Sequence, residues 1–146
     1  MQLTALNVEV ISREISFGGN VVMSEKRIHD NKVVLLVEDE QRILRFMNIA
    51  LRAAGYRVLV ATTGEQALDL AQSEQPDIML LDIYLPGTNG LEALRKLRTF
   101  SQMPVIVISA RDSVGPEALQ LGANEFITKP FKPDDLIQQI RNVLRQ

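Results

Sequence analysis

A chain of 146 residues, 46% of them hydrophobic, is long enough for one domain with a single sizeable core and too short for two. Sixteen basic against eighteen acidic residues leave a net charge of -2, and no run of Lys or Arg is dense enough to track a phosphate backbone, which argues against nucleic-acid binding by this chain alone. The lack of cysteine excludes disulfides and thiolate metal sites, and with no basic, apolar leader and no apolar run of about eighteen residues, a soluble cytoplasmic protein without membrane contact is expected.

In chain order, residues 1–31 come first and stand apart from the rest of the chain. Residues 7–17 have strand-like composition, and Gly18, Gly19 and Asn20 before Val21, Val22 and Met23 could turn a hairpin. An isolated hairpin is marginal in water, so this extension is expected to be flexible or ordered by a partner. The single histidine, His29, lies in the polar stretch 24–31, where a solvated linker residue is the expectation and a phosphodonor or ligand the alternative.

From Lys32 onward, short apolar runs alternate with helical patterns. Residues 33–37, within "VVLLVEDE", have no polar alternation, which predicts a strand covered on both faces, as in a parallel sheet. Three carboxylates, Glu38, Asp39 and Glu40, come directly after it; such a run either fans out into water, the commoner outcome, or surrounds a cation. Ile43, Phe46, Met47, Ala50, Leu51 and Ala54 then fall on one face of a helix that Gly55 closes. Residues 57–61 predict a second strand, and Thr63 caps a helix carrying Ala67, Leu68 and Ala71 that ends before Pro76. A third strand at 78–81 leads to a helix marked by Leu91, Leu94 and Leu97, a fourth at 105–108 to a short helix opened by Pro116, and a weaker fifth at 125–128 to a last helix opened by Asp134 and Asp135. That last helix repeats Leu136, Ile137, Ile140, Val143 and Leu144 at helical spacing.

Five strands alternating with five helices predict an α/β doubly wound parallel sheet with right-handed crossovers and helices on both faces. Such folds bind ligands at the carboxyl ends of their strands, so Glu38, Asp39, Asp82, Ser109 and Lys129, all at strand ends, should meet along one edge. Asp39 and Asp82 would anchor a hard divalent cation such as Mg2+, with Glu38 acting through water. Asp82 could attack phosphorus as a nucleophile, Lys129 could pair with a phosphoryl oxygen, and the Ser109 hydroxyl could donate to another. Taken singly, each has a plainer reading: Asp82 capping the next loop, Ser109 making a turn, Lys129 a surface lysine before Pro130.

The segments "LLVEDE", "DIMLLDIYLPGTNG", "PVIVISAR" and "GANEFITKPF", with the final amphipathic helix, together resemble the receiver domain of bacterial two-component response regulators over residues 32–146. The resemblance implies a flavodoxin-like (βα)5 fold with strand order 2-1-3-4-5. It implies Glu38 and Asp39 as the acidic pair, Asp82 as acceptor of a phosphoryl group from a sensor histidine kinase or phosphotransfer protein, and the Tyr84 backbone carbonyl as a further Mg2+ ligand. It also implies Ser109 and Phe126 as a switch pair and Lys129 as the lysine of the site, joined to Pro130 by a cis bond. Phosphorylation would then change the face of helix four, strand five and helix five, which acts on a downstream protein target or an output domain. "RTFSQMPVIVISAR" is most similar to regulators with a C-terminal winged-helix DNA-binding domain, so with its last residue at Gln146 the chain is expected to be a stand-alone receiver or a receiver fragment. Gly115, Pro116, Glu117, Asn124 and Gln139 depart from the charged pattern of the usual dimer face, so a monomer or weak dimer is expected. Tyr84 and Arg111, each two residues past a site residue, would screen the phosphoryl group from water. The competing readings are a Mg2+-dependent phosphohydrolase, a phosphorylation-independent receiver-like binding module and a flavin carrier; neither nucleotide-binding glycine pattern is present.

Overall fold

The computed structural model describes residues 32–145 except Thr88. The hairpin expected near residues 7–23, and His29, lie outside the described residues. The elements are β1 (Val33–Val37), α1 (Gln41–Ala53), β2 (Arg57–Ala61), α2 (Gly64–Glu74), β3 (Ile78–Asp82), α3 (Gly90–Leu97), β4 (Val105–Ser109), a 3-10 turn (Asp112–Val114), α4 (Gly115–Gln120), β5 (Glu125–Thr128) and α5 (Pro133–Leu144). All five strands pair in parallel in the order β2-β1-β3-β4-β5, the flavodoxin-like arrangement expected.

Within each apolar strand the pleat sends alternate residues to opposite faces, and two cores result. Leu35, Val37, Met79, Leu81, Val105 and Val107 pack under α2, α3 and α4 with Ala67, Ala71, Leu94, Leu97 and Ala118. Val34, Leu36, Ile78, Leu80, Ile106 and Ile108 pack under α1 and α5 with Met47, Leu51, Leu136, Ile137 and Ile140. Strands buried on both faces explain the unbroken Val/Ile/Leu runs.

The helices stop and start where local chemistry dictates. Gly55 takes a φ of 98°, and the Tyr56 N–H reaches back to the Leu51 carbonyl at 3.1 Å, a left-handed termination of α1. The Thr63 hydroxyl accepts from the Gln66 N–H at 3.1 Å and Asn89 accepts from the Glu92 N–H at 2.9 Å, capping α2 and α3. Two expectations need correction. Phe46, placed by its spacing on the buried face of α1, is 49% exposed, because it sits at the margin of the apolar arc beside Arg42 and Arg45. The third and fourth strands each run one residue longer than expected, so Asp82 and Ser109 are themselves strand residues, held by the ladder.

Candidate phosphoacceptor site

The strand order reverses at β1, whose neighbours are β2 and β3, and this opens a crevice at the carboxyl ends of β1 and β3. β1 delivers Glu38 and Asp39 to it and β3 delivers Asp82. One carboxylate oxygen from each of the three lies within 4.8 Å of the other two. Glu38 and Asp82 are buried, whereas Asp39 is exposed. The acid run after β1 is therefore split: Glu38 turns in, Asp39 faces the crevice mouth, and Glu40 becomes the N-cap residue of α1.

Lys129, just past β5, brings the counter-charge. Its Nζ donates to Glu38 Oε1 and to Asp82 Oδ2, both at 3.3 Å. The plain reading of Lys129 as a surface lysine does not hold, since its side chain is only 19% exposed. Burial by itself would lower the lysine pKa, but the charges of Asp82 and Glu38 outweigh it and hold the ammonium above its ordinary range. Glu38 is displaced upward as well, first by burial and further by the Asp82 charge, against the pull of the Glu40 N–H and of Lys129. Two buried acids sharing one ammonium thus form a pocket short of positive charge.

The backbone around Asp82 is fixed from several sides. Asp82 Oδ1 accepts from the Tyr84 N–H at 3.2 Å, and the Ile83 N–H donates to the Ile108 carbonyl at 3.2 Å. The Gly90 N–H donates to the Ile83 carbonyl at 2.7 Å, and a Cβ on Gly90 would lie 2.5 Å from the Asp82 carbonyl oxygen, so only glycine lets α3 press this closely on the strand end. Ser109 is fully buried, and its Oγ accepts from the Arg111 N–H at 3.1 Å. The Lys129 N–H meets the Ser109 carbonyl at 2.8 Å, and the Lys129–Pro130 bond is cis, as the resemblance implied. Asp82 and Ser109 therefore do make the local turns of their plain readings; Asp82 also stands in the crevice, whereas Ser109 is buried at the end of β4 and is joined to Lys129 through its backbone carbonyl. A hydroxyl that accepts one hydrogen bond keeps its own hydrogen to donate.

At the rim, Tyr84 is half exposed and the Arg111 guanidinium lies 5.6 Å from its ring centroid. Sequence spacing pointed to each residue but not to their contact. Phe126, on β5, is half buried and packs into the core on the α4 side, outside the charged group. Sequence reasoning missed two residues. Arg98, at the end of α3, donates to the Gly122 carbonyl at 2.8 and 3.2 Å and to the Ser101 carbonyl at 3.1 Å, which ties down the loop entering β5. Asp77 accepts from the Val33 N–H at 2.7 Å and seats the start of β1. Neither has a local pattern, because Gly122 and Val33, the partners that matter, lie 24 and 44 positions away along the chain.

Residues 34–141 match the family described as "Response regulator receiver domain". Among curated proteins the chain is 45% identical over 116 residues to the uncharacterized transcriptional regulatory protein YkoG of Bacillus subtilis (strain 168), covering 77% of this chain and 51% of that relative, so it spans about half of that relative's length. Among solved structures, the BeF3-activated N-terminal receiver domain of Klebsiella pneumoniae RstA is 31% identical with a TM-score of 0.75, covering 79% of this chain and 100% of the other. The receiver domain of sensor histidine kinase PA1611 from Pseudomonas aeruginosa PAO1, with a magnesium ion coordinated in its active site cleft, is 30% identical with a TM-score of 0.75, covering 80% and 99%. The site, the strand order and these matches agree: this chain belongs to the family of response regulator receiver domains.

Proposed function

We propose that this receiver is a phosphorylation-activated switch that accepts a phosphoryl group on Asp82. The observation that carries the reading is the convergence of Glu38, Asp82 and Lys129, from three separate strand ends, with Lys129 Nζ 3.3 Å from both carboxylates. No single turn or cap requires that arrangement.

The donor set suits Mg2+: three carboxylates near one another, two of them buried, in a pocket short of positive charge. Glu38, Asp39, Asp82 and the Tyr84 carbonyl would hold it. When bound, it would offset the negative charge of phosphoryl oxygens brought among carboxylates. The protein's own groups do the rest. An Asp82 carboxylate oxygen forms a bond to phosphorus while the bond from phosphorus to the donor's imidazole nitrogen breaks, and that nitrogen keeps the electron pair. Lys129 exchanges part of its hold on Asp82 for a charge-assisted bond to a phosphoryl oxygen, and Ser109 donates its hydroxyl to another. Ser109 and Phe126 then serve as the switch, and the face of α4, β5 and α5 changes towards a downstream protein or output domain.

On this reading the receiver unit is residues 32–146, residues 1–31 are an extension, and the chain is a cytoplasmic monomer or weak dimer partnered by a sensor histidine kinase or phosphotransfer protein. It catalyses only the gain and loss of its own phosphoryl group. Among the described residues, no helix is long and apolar enough to cross a membrane.

The test is intact mass after incubation with Mg2+ and acetyl phosphate. One added phosphate on the wild type, absent from Asp82→Ala and from a chelator-treated sample, is expected. A folded protein with no adduct would overturn the reading; turnover of the donor would then indicate a phosphohydrolase, and no turnover a phosphate-independent binding module.

A further inference from the structure

The ends of the strands opposite the charged crevice carry a second concavity. It lies where α2 runs out towards β3 and α3 towards β4, has a volume of about 440 Å³, and is lined by Ala71, Pro76, Phe100 and Met103. Ala71 belongs to the core beneath α2, α3 and α4, and Met103 packs against it, so the cavity is an opening onto that core. Phe100 is 43% exposed, a large apolar ring left against water. Gln72 and Gln75, both exposed, complete the lining with amides able to donate to and accept from a main chain lying across it.

The amino-terminal stretch of the chain joins the fold beside this cavity. The Val33 N–H donates to Asp77 Oδ2 at 2.7 Å, the Asp77 N–H donates back to the Val33 carbonyl at 2.9 Å, and Asp77 directly follows Pro76 of the cavity wall. β1 and β3 are neighbours, so residues 1–31 enter the domain about one strand spacing, roughly 5 Å, from that wall. Those residues include an apolar segment, "ISFGGNVVM" (15–23), joined to β1 through the polar stretch 24–31. Phe17, the only aromatic residue before Lys32, stands sixteen positions before Val33. Sixteen residues of extended chain span up to about 50 Å, ample for so near a target. Two other concavities fit less well. One, lined by Asn124, Glu125, Asn142 and Val143, is beside β5, three strands from β1, and includes a carboxylate. The other runs from Phe126 to Pro130 and so reaches the far, carboxyl end of β5.

We infer that the cavity between the carboxyl ends of α2 and α3 is the docking site of this chain's own residues 15–23, with the Phe17 ring against Phe100 and Met103. A ring and a thioether are both favourable partners for a second ring, and docking covers Phe17 and Phe100 together. Attachment at Val33 keeps the segment at a local concentration on the order of millimolar, so a contact too weak for a free peptide is populated in the intact chain. The site lies at the opposite end of the strands from Asp82, and the inference does not depend on the proposed phosphorylation.

The lack of cysteine makes the test direct. In the full chain, Ser16→Cys is combined either with Gln75→Cys at the cavity or with Gln138→Cys, an exposed position on α5 across the sheet. Each protein is equilibrated at low concentration in a glutathione redox buffer, and intact mass gives the ratio of internal disulfide to glutathione adduct. A disulfide needs Cα atoms within about 7 Å, so the ratio reports where the segment rests. The Gln75 pair is expected to exceed the Gln138 pair at least about tenfold, a preference that Phe17→Ser or Phe100→Ala removes. Equal ratios for the two pairs would overturn the inference. So would a preference that survives both replacements, since nearness of the attachment point alone would then explain it. Disulfide-linked dimers in place of the internal bridge would assign the cavity to a second copy of the chain and overturn it as well. Fluorine NMR reads Phe100 without cysteines: in protein labelled with 4-fluorophenylalanine, the resonance lost in Phe100→Ala is expected to shift in Phe17→Ser, and a resonance that keeps its wild-type position would contradict the docked ring.

Discussion

At the scale of single residues, the site is governed by pairs that serve two purposes. Asp82 and Ser109 each accept one backbone N–H two residues ahead, which fixes their side chains while leaving capacity for a ligand. The contact between Arg111 and Tyr84 has a measurable consequence. An exposed cation–π pair contributes about 0.5–1 kcal/mol, equivalent to roughly two- to fivefold in rate, so if this pair screens the phosphoryl group, a Tyr84→Asn, Arg111→Ala protein should lose phosphate faster by about that factor. The decay of the phosphorylated mass after donor removal measures it, and slower decay in the double variant would contradict the screening role. At this scale the sequence was informative where chemistry is concentrated at strand ends and silent where it depends on approach. Nothing in "GPEALQ" says that Gly115 faces Phe126, or in "KLRTF" that Arg98 reaches Gly122, because both meetings are made by tertiary packing.

At the scale of elements, the crossover from β4 to β5 has few local supports. α4 is six residues long, has no side-chain cap, and is tied at its far end by Arg98 of the α3 terminus. Arg98→Ala should destabilise the protein by about 1.5–3 kcal/mol, the range for hydrogen bonds from a charged donor. It should also speed hydrogen exchange in α4 and β5 before it affects β1 or β3. A urea midpoint within error of wild type would show that the clamp contributes nothing. Element existence was readable because every strand but the last holds at least four apolar residues in a row, and the last, an edge strand with exposed ends, is the weakest in pattern as well. The width of the α1 face was not readable: spacing alone cannot say how far the apolar arc extends, and Phe46 lies at its margin, half exposed.

At the scale of the whole molecule, stability comes from the two cores, while the crevice gathers acids that repel one another and that a cation would relieve. Mg2+ should therefore stabilise the fold. At ten times its dissociation constant, a ligand that binds only the native state adds about 1.4 kcal/mol, or roughly 4–6 °C in Tm for a domain of this size. Thermal unfolding with and without Mg2+ should show this in wild type and a much smaller rise in Glu38→Gln. Alkaline pH acts elsewhere, through Tyr56. Burial raises its phenol above the ordinary pKa of 10.0, against the opposing charge of Arg141, so the folded state keeps a proton that the unfolded chain releases. The stability linked to it is fully present below pH 10.0 and is lost as pH rises through the folded value. Tyr56→Phe should flatten this part of the urea midpoint profile between about pH 9 and 11, and an unchanged profile would assign the loss to other groups.

The bond between Lys129 and Glu38 spans 91 positions of sequence. During synthesis the acidic residues after β1 emerge early, and the ammonium that offsets them emerges only once β5 has been made. Until then the carboxylates have water and free cations as their only counter-charge. A chain cut short before Lys129 would lack the charge balance of the crevice even with β1 to β4 in place, so that balance belongs to the completed domain and not to any nascent portion of it.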